Sequence, residues 1–121
     1  MEHRIKFIEH KGRRILHLDF TQARADEVIQ IIGKAKGVIA AQPAGSIRTL
    51  TDVTDIKFNT AATEAMKEFA SHNKPYVTAA AVVGVTGLKK IIYNAVVKFS
   101  GRNLVAFDSH GQAKDWLVAQ Q

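Results

Sequence analysis

A single α/β domain with a mixed, mainly parallel sheet of about five strands, flanked by four helices, is the fold class this sequence predicts. Three features predict it. Two alternating stretches near the start are separated by the turn dipeptide Lys11-Gly12. The run YVTAAAVV at 76–83 is apolar without alternation, as a strand covered on both faces should be. Segments of helical period separate all the later strands, which implies crossover connections and parallel pairing.

Each element has its own reason. Residues 4–9 alternate through Arg4, Ile5, Lys6, Phe7 and Ile8, a half-exposed strand at a sheet edge. Residues 13–20 carry Ile15, Leu16, Leu18 and Phe20 and complete an antiparallel hairpin. From Ala25 the period changes: Val28, Ile31, Ile32, Ala35, Val38 and Ile39 share one helical face. Asp26 and Glu27 lie in its first turn, where the helix dipole favours acids. Gln42-Pro43-Ala44-Gly45 ends it. Gly33 and Gly37 lie four apart, a spacing that predicts close packing on the sheet.

Residues 47–53 form a strand. Residues 61–71 form a helix with Ala62, Ala65, Met66 and Phe69 on one face, broken by Asn73-Lys74-Pro75. After the central strand and a glycine-containing turn, residues 88–99 carry a broad stripe of Leu88, Ile91, Ile92, Ala95, Val96 and Phe99. Gly101 stops that helix. A short strand at 103–107 follows. Ser109 and Gln112 then have capping-box spacing, and Ala113, Trp116 and Leu117 point the final helix inward. The order is β-β-α-β-α-β-α-β-α over residues 1–121, with no repeat or linker.

Composition narrows the function classes. The absence of cysteine excludes disulfides, thiolate metal sites and a Cys nucleophile. The first ten residues are charged throughout and lack the apolar core of a secretory signal, which predicts a cytoplasmic protein. No apolar stretch is long enough to span a bilayer. The net charge of +6 favours anionic partners, yet the charges are scattered and serve solubility as well. His3, His10, His17, His72 and His110 show no metal-ligand spacing. His17, on a strand, reads as a hydrogen-bonded structural residue. No nucleophile elbow or aromatic RNA-binding strand pair is present. The expectation is a non-enzymatic protein with no metal, no cofactor and no specific nucleic-acid partner.

Three strings carry a family resemblance: QPAGSIRTLTDVTDIKFN (42–59), NKPYVTAAAVVGVTGLKKIIYNAVVKFSGR (73–102) and FDSHGQAKDWL (107–117). With the element order, they resemble the STAS domain, the fold of bacterial anti-sigma-factor antagonists. More closely, the chain is similar to small stand-alone bacterial STAS-like proteins often grouped with CRAL-TRIO lipid-binding domains. The resemblance covers essentially the whole chain and implies regulation through protein contacts. In the antagonists, a serine at the start of the helix after strand three is the phosphorylation switch. Asp52 matches the strand-end Asp of that pattern and Phe58 its loop apolar residue. The turn Asp falls on Thr60, the two serines on Ala61 and Ala62, and a small Gly on Thr63. Both hydroxyls are missing, so the usual switch cannot operate at its usual place.

On the residues alone, two junctions attract attention. At the first, Asn59 and Thr60 are good N-cap residues, with Thr63 one turn on and Asp52 and Asp55 nearby. They lie at the carboxyl end of a parallel strand, where ligands bind in open α/β sheets. Simple capping is the more economical reading. At the second, VVGVTGLKK (82–90), Gly84, Thr86, Gly87 and Lys89 form a turn and helix start able to hold a phosphate or carboxylate. The plainer reading is a turn capped by Thr86. Ala79, Ala80 and Ala81 either leave room for an apolar ligand or let helices pack tightly. On a helical wheel Tyr93 and Val97 fall opposite the core stripe, an outward pair suited to a homodimer or partner surface. The leading expectation is a regulatory or protein-interaction module, and the alternative is a domain binding a small apolar, lipid-like or anionic ligand.

Overall fold

The computed structural model describes residues 2–120. A 3-10 turn, Glu2–Arg4, leads into β1 (Ile5–His10) and β2 (Arg13–Asp19). There follow α1 (Ala25–Ala40), β3 (Ile47–Asp52), α2 (Thr60–Asn73), β4 (Val77–Val83), α3 (Lys89–Ser100), β5 (Leu104–Phe107) and α4 (His110–Ala119). The predicted order holds and the bounds move by only a residue or two. Lys11 and Gly12 both take positive φ, the signature of a type I′ turn, whose twist suits a two-residue hairpin.

The five strands lie side by side in chain order, β1-β2-β3-β4-β5. Only β1 and β2 are antiparallel; the later pairs are parallel. Each parallel crossover therefore advances in the same direction. Right-handed crossovers that all advance one way put their helices on one face. Accordingly Leu16, Leu18, Ile47 and Val82 meet Val28, Ile31, Ile39 and Phe69 from α1 and α2, with Tyr93 of α3 packed alongside. The alternate residues, Ile15, Leu50, Ala79, Ala81 and Val83, face the other way against Ala113 and Leu117 of α4. One helix thus covers a face that on the opposite side takes three.

Side-chain bonds fasten that single helix. Arg48 donates from Nε to the Leu117 carbonyl at 3.1 Å and from Nη2 to the Gln120 carbonyl at 3.0 Å. His10 on β1 reaches Asp115 at 2.8 Å. At the other end, Ser109 caps α4 by accepting from the Gln112 N–H at 3.2 Å.

Two expectations are corrected. Gly33 and Gly37 do not pack on the sheet: both are exposed, and a Cβ added to either meets nothing within 4 Å. The second correction concerns α3, which is rotated from the predicted orientation. Val96 and Ser100 are buried while Leu88, Ile91 and Phe99 are exposed. Tyr93 does not point outward with Val97; it packs on the core, its hydroxyl donating to the Leu104 carbonyl, and Val97 is half-buried. A hydropathy wheel counts Tyr93 and Ser100 as polar. Here each satisfies its hydroxyl internally, Ser100 by donating to the Val96 carbonyl at 2.8 Å.

Candidate functional site

The two junctions singled out in the sequence meet at the carboxyl ends of β3 and β4. Asp52 closes β3, and its Oδ1 accepts from the Thr54 N–H at 2.9 Å and the Thr54 hydroxyl at 2.6 Å. The same turn is built one strand over, where Asp19 Oδ1 accepts from the Thr21 N–H at 2.9 Å and the Thr21 hydroxyl at 2.6 Å. Asp19 and Asp52 are register partners across β2 and β3. The tripeptides Asp-Phe-Thr (19–21) and Asp-Val-Thr (52–54) are therefore one device used twice: an aspartate ends the strand by capturing the backbone two residues on.

The two aspartates differ in what else they hold. The second oxygen of Asp52 accepts from His110 Nε2 at 2.6 Å, at the first turn of α4. The His17 ring lies edge-on to that of His110, with centroids 5.5 Å apart. Burial alone would push the Asp52 carboxyl up, but the bonds from Thr54 and His110 outweigh it and hold the group below the usual carboxylate range. His17 is displaced downward, first by burial and then by the neighbouring His110. It is not the hydrogen-bonded residue expected: its Nε2 is buried with no partner among the described residues. Sequence spacing hid this cluster, because 17, 52 and 110 meet only through sheet register and the return of α4. The doubled Asp-x-Thr motif marks the two strand-end turns but carries no sign of the histidines.

At the start of α2, Asn59 is the cap: its Oδ1 accepts from the Ala62 N–H at 2.8 Å. Thr60 is exposed in the first turn and makes no capping bond. Thr63 is half-buried in the helix, and Asp55 occupies an exposed left-handed turn at φ 57. Ala62, where the resembling family has a serine, is fully buried.

The second junction docks on the first. Gly84 has φ 92, and a Cβ built there would lie 2.6 Å from the Thr54 nitrogen and 2.9 Å from its Cα. Only glycine allows the two backbones to come this close. Lys89 reaches back across the gap, its Nζ donating to the Val53 carbonyl at 3.2 Å. Thr86 and Gly87 are exposed, and Thr86 is not the side-chain cap of α3: its carbonyl accepts from the Lys89 N–H at 3.2 Å. Under the joined turns lies an apolar cavity of about 80 Å³, lined among others by Phe58, Met66, Val85, Lys89 and Tyr93. Asn59, Thr60 and Thr63 do not line it. The geometry thus unites Asp52, Gly84 and Lys89 and leaves Asp55, Thr60, Thr86 and Gly87 on the surface.

No protein-family model matches this chain, and no curated protein matches it. A solved structure does. The crystal structure of an uncharacterized protein from the DUF3478 family with a SpoIIAA-like fold, from Shewanella loihica PV-4, aligns with a TM-score of 0.72. The alignment covers 93% of this chain and 91% of that one, at 16% identity. At that identity the likeness establishes the fold: a mixed α/β sheet of the SpoIIAA-like, that is STAS-like, kind. Among the described residues no helix is long and apolar enough to cross a membrane.

Proposed function

We propose that this protein is a non-enzymatic regulatory module that works by binding a protein partner through the outer face of α3, beside the β3–α2 junction. The observation that carries this reading is the stripe of Leu88, Ile91 and Phe99, which are 82%, 68% and 60% exposed. Three large apolar side chains on one side of one helix are more than the scattered singles of an ordinary surface. The junction beside them lacks the resembling family's serine at its usual place: its cap is an asparagine, and the buried Ala62 offers no hydroxyl to modify. The exposed hydroxyl at this helix start is that of Thr60. Asp52 is absorbed in structure, since it spends both oxygens on Thr54 and His110, and Asp55 stands apart from it in an exposed turn.

A lipid-like ligand is less well supported. The cavity of about 80 Å³ under α2 and α3 falls well below the roughly 300 Å³ at which small-molecule pockets begin. The experiment compares the native protein with Ile91→Glu by sedimentation equilibrium and by affinity capture from the source cell lysate. The reading requires a homodimer, or a specific captured partner, that Ile91→Glu abolishes without lowering the melting temperature. A monomer whose captured proteins are identical for both forms sinks it.

A further inference from the structure

The strongest unassigned feature lies at the opposite end of the sheet, at the amino ends of the strands. β5 begins at Leu104, opposite Ala80, so Val77 to Ala79 of β4 have no β5 partner. The notch left there is about 290 Å³, close to the lower bound for small-molecule sites. Ala79, Ala80 and Gly101 keep it open by being small. Lys74, Arg102, Thr78, Asn103, Trp116 and Gln120 supply its chemistry, and no lining residue is acidic.

Arg102 is the residue that needs explaining. It is partly buried, and that burial pulls its guanidinium below the usual range. A buried charge is costly unless it is paired and hydrogen-bonded. Yet a group with five N–H donors makes one long bond from its side chain, from Nη1 to the Ala70 carbonyl at 3.4 Å. Among the described residues no carboxylate lies within ion-pair distance of Arg102 or Lys74. Lys74 brings a second cation to the same place: its Nζ lies 3.6 Å from where a Cβ on Gly101 would sit. Both cations also oppose helix ends, Arg102 that of α2 and Lys74 that of α3, and the dipoles there offer partial compensation. That leaves most of the guanidinium's fork unused. Across the notch, Trp116 offers an aromatic wall steadied by Phe107, with ring centroids 5.5 Å apart.

We infer that this notch binds a small molecule bearing an oxyanion on a flat apolar group, with Arg102 and Lys74 holding the carboxylate or phosphate and Trp116 packing on the apolar part. Guanidinium–oxyanion pairing is bidentate by preference, and Arg102, which lies between this notch and the apolar cavity under α2 and α3 and lines both, has donors left idle for it. The site is independent of the α3 surface, and either reading can fail alone.

The chain has a single tryptophan, so its fluorescence reports on this wall alone. The test titrates the full-length protein with phenyl phosphate, inorganic phosphate and benzoate. Phenyl phosphate is expected to give a saturable change with a half-point at or below about 1 mM, and Lys74→Gln and Arg102→Gln to weaken it at least ~10-fold each. Lys74 is exposed, so Lys74→Gln keeps the fold and decides the matter if Arg102→Gln does not fold. The weakening with salt expected of a charge-held ligand should accompany binding. Inorganic phosphate binding as tightly as phenyl phosphate would overturn the role of Trp116. No saturation by roughly ten times the expected half-point, or saturation untouched by Lys74→Gln, overturns the site. Benzoate binding within ~10-fold of phenyl phosphate supports recognition of the general oxyanion, and its failure narrows the site to phosphate.

Discussion

Gly84 shows how a single residue carries the joined junctions. Its φ of 92 strains any side chain, and the Thr54 backbone occupies the place a Cβ would take. Gly84→Ala should cost at least ~2 kcal/mol in urea unfolding, since neither backbone can yield without parting β3 from β4. A loss under ~0.5 kcal/mol would show that the contact is soft. The histidine–aspartate cluster makes a different prediction, in pH. Because burial and His110 hold His17 below its ordinary value, the unfolded chain takes up the proton first. Stability present above about pH 6.5 is therefore lost as pH falls toward the folded value. Asp52 adds a lower limb: its carboxyl is held down, so its contribution persists above about pH 3.9 and is lost as pH falls through the folded value. His17→Leu should flatten the upper limb and leave the lower one. Urea midpoints across both limbs check this, and parallel curves for native and variant would count against it. Residue identity alone could reveal the Asp-x-Thr turns. It could not reveal that His17 Nε2 is buried without a partner among the described residues, because that depends on what α4 brings over it.

At the scale of elements, helix starts and surfaces behave as their local chemistry dictates. Asn59→Ala removes the α2 cap and should cost about 1 kcal/mol, whereas Thr60→Ala should change stability by less than ~0.5 kcal/mol. Thermal melts of the two variants decide which residue caps, and equal losses would return Thr60 to the cap. Gly33 and Gly37 sit in the interior of an exposed helix face with open space around them. Gly33→Ala and Gly37→Ala should each stabilise the protein by about 0.8–1 kcal/mol, read from urea unfolding. A loss would mean that something covers this face. The elements themselves were legible because each is periodic in its own way: alternation in β1, a helical stripe in α1, an unbroken apolar run in β4. The rotation of α3 was not legible. Its stripe is wider than the contact it makes, and the choice of flank was settled by Tyr93 and Ser100 finding acceptors that hydropathy does not register.

For the whole molecule, the decisive fact is that one face of the sheet depends on α4. Its fastenings are Arg48 to its last carbonyls, His10 and Lys11 to Asp115, and His110 to Asp52. Arg48→Met keeps the stem of the side chain and removes both bonds. Amide exchange over residues 110–119 should then accelerate several-fold while β3 and β4 stay protected, because local opening follows the loss of local contacts. Uniform acceleration across the sheet would instead make α4 part of the global cooperative unit. The topology was readable from the alternation of strands and helices. The meeting of His17, Asp52 and His110 and the notch beside β4 were not, since both arise from where distant segments end in space.

The side-by-side strand order has a consequence for how the chain acquires its structure. Every strand pairs with the one before it, so each new segment leaving the ribosome finds its neighbour already in place. Synthesis runs at about 5–20 residues per second, slow compared with hairpin closure. The face built by α1, α2 and α3 can therefore assemble without α4. Ile15, Leu50, Ala79 and Ala81 stay open to water until α4 arrives. Any folding route that docks α4 last therefore passes through a one-sided sheet, the state in which this chain leaves most apolar strand surface open to aggregation.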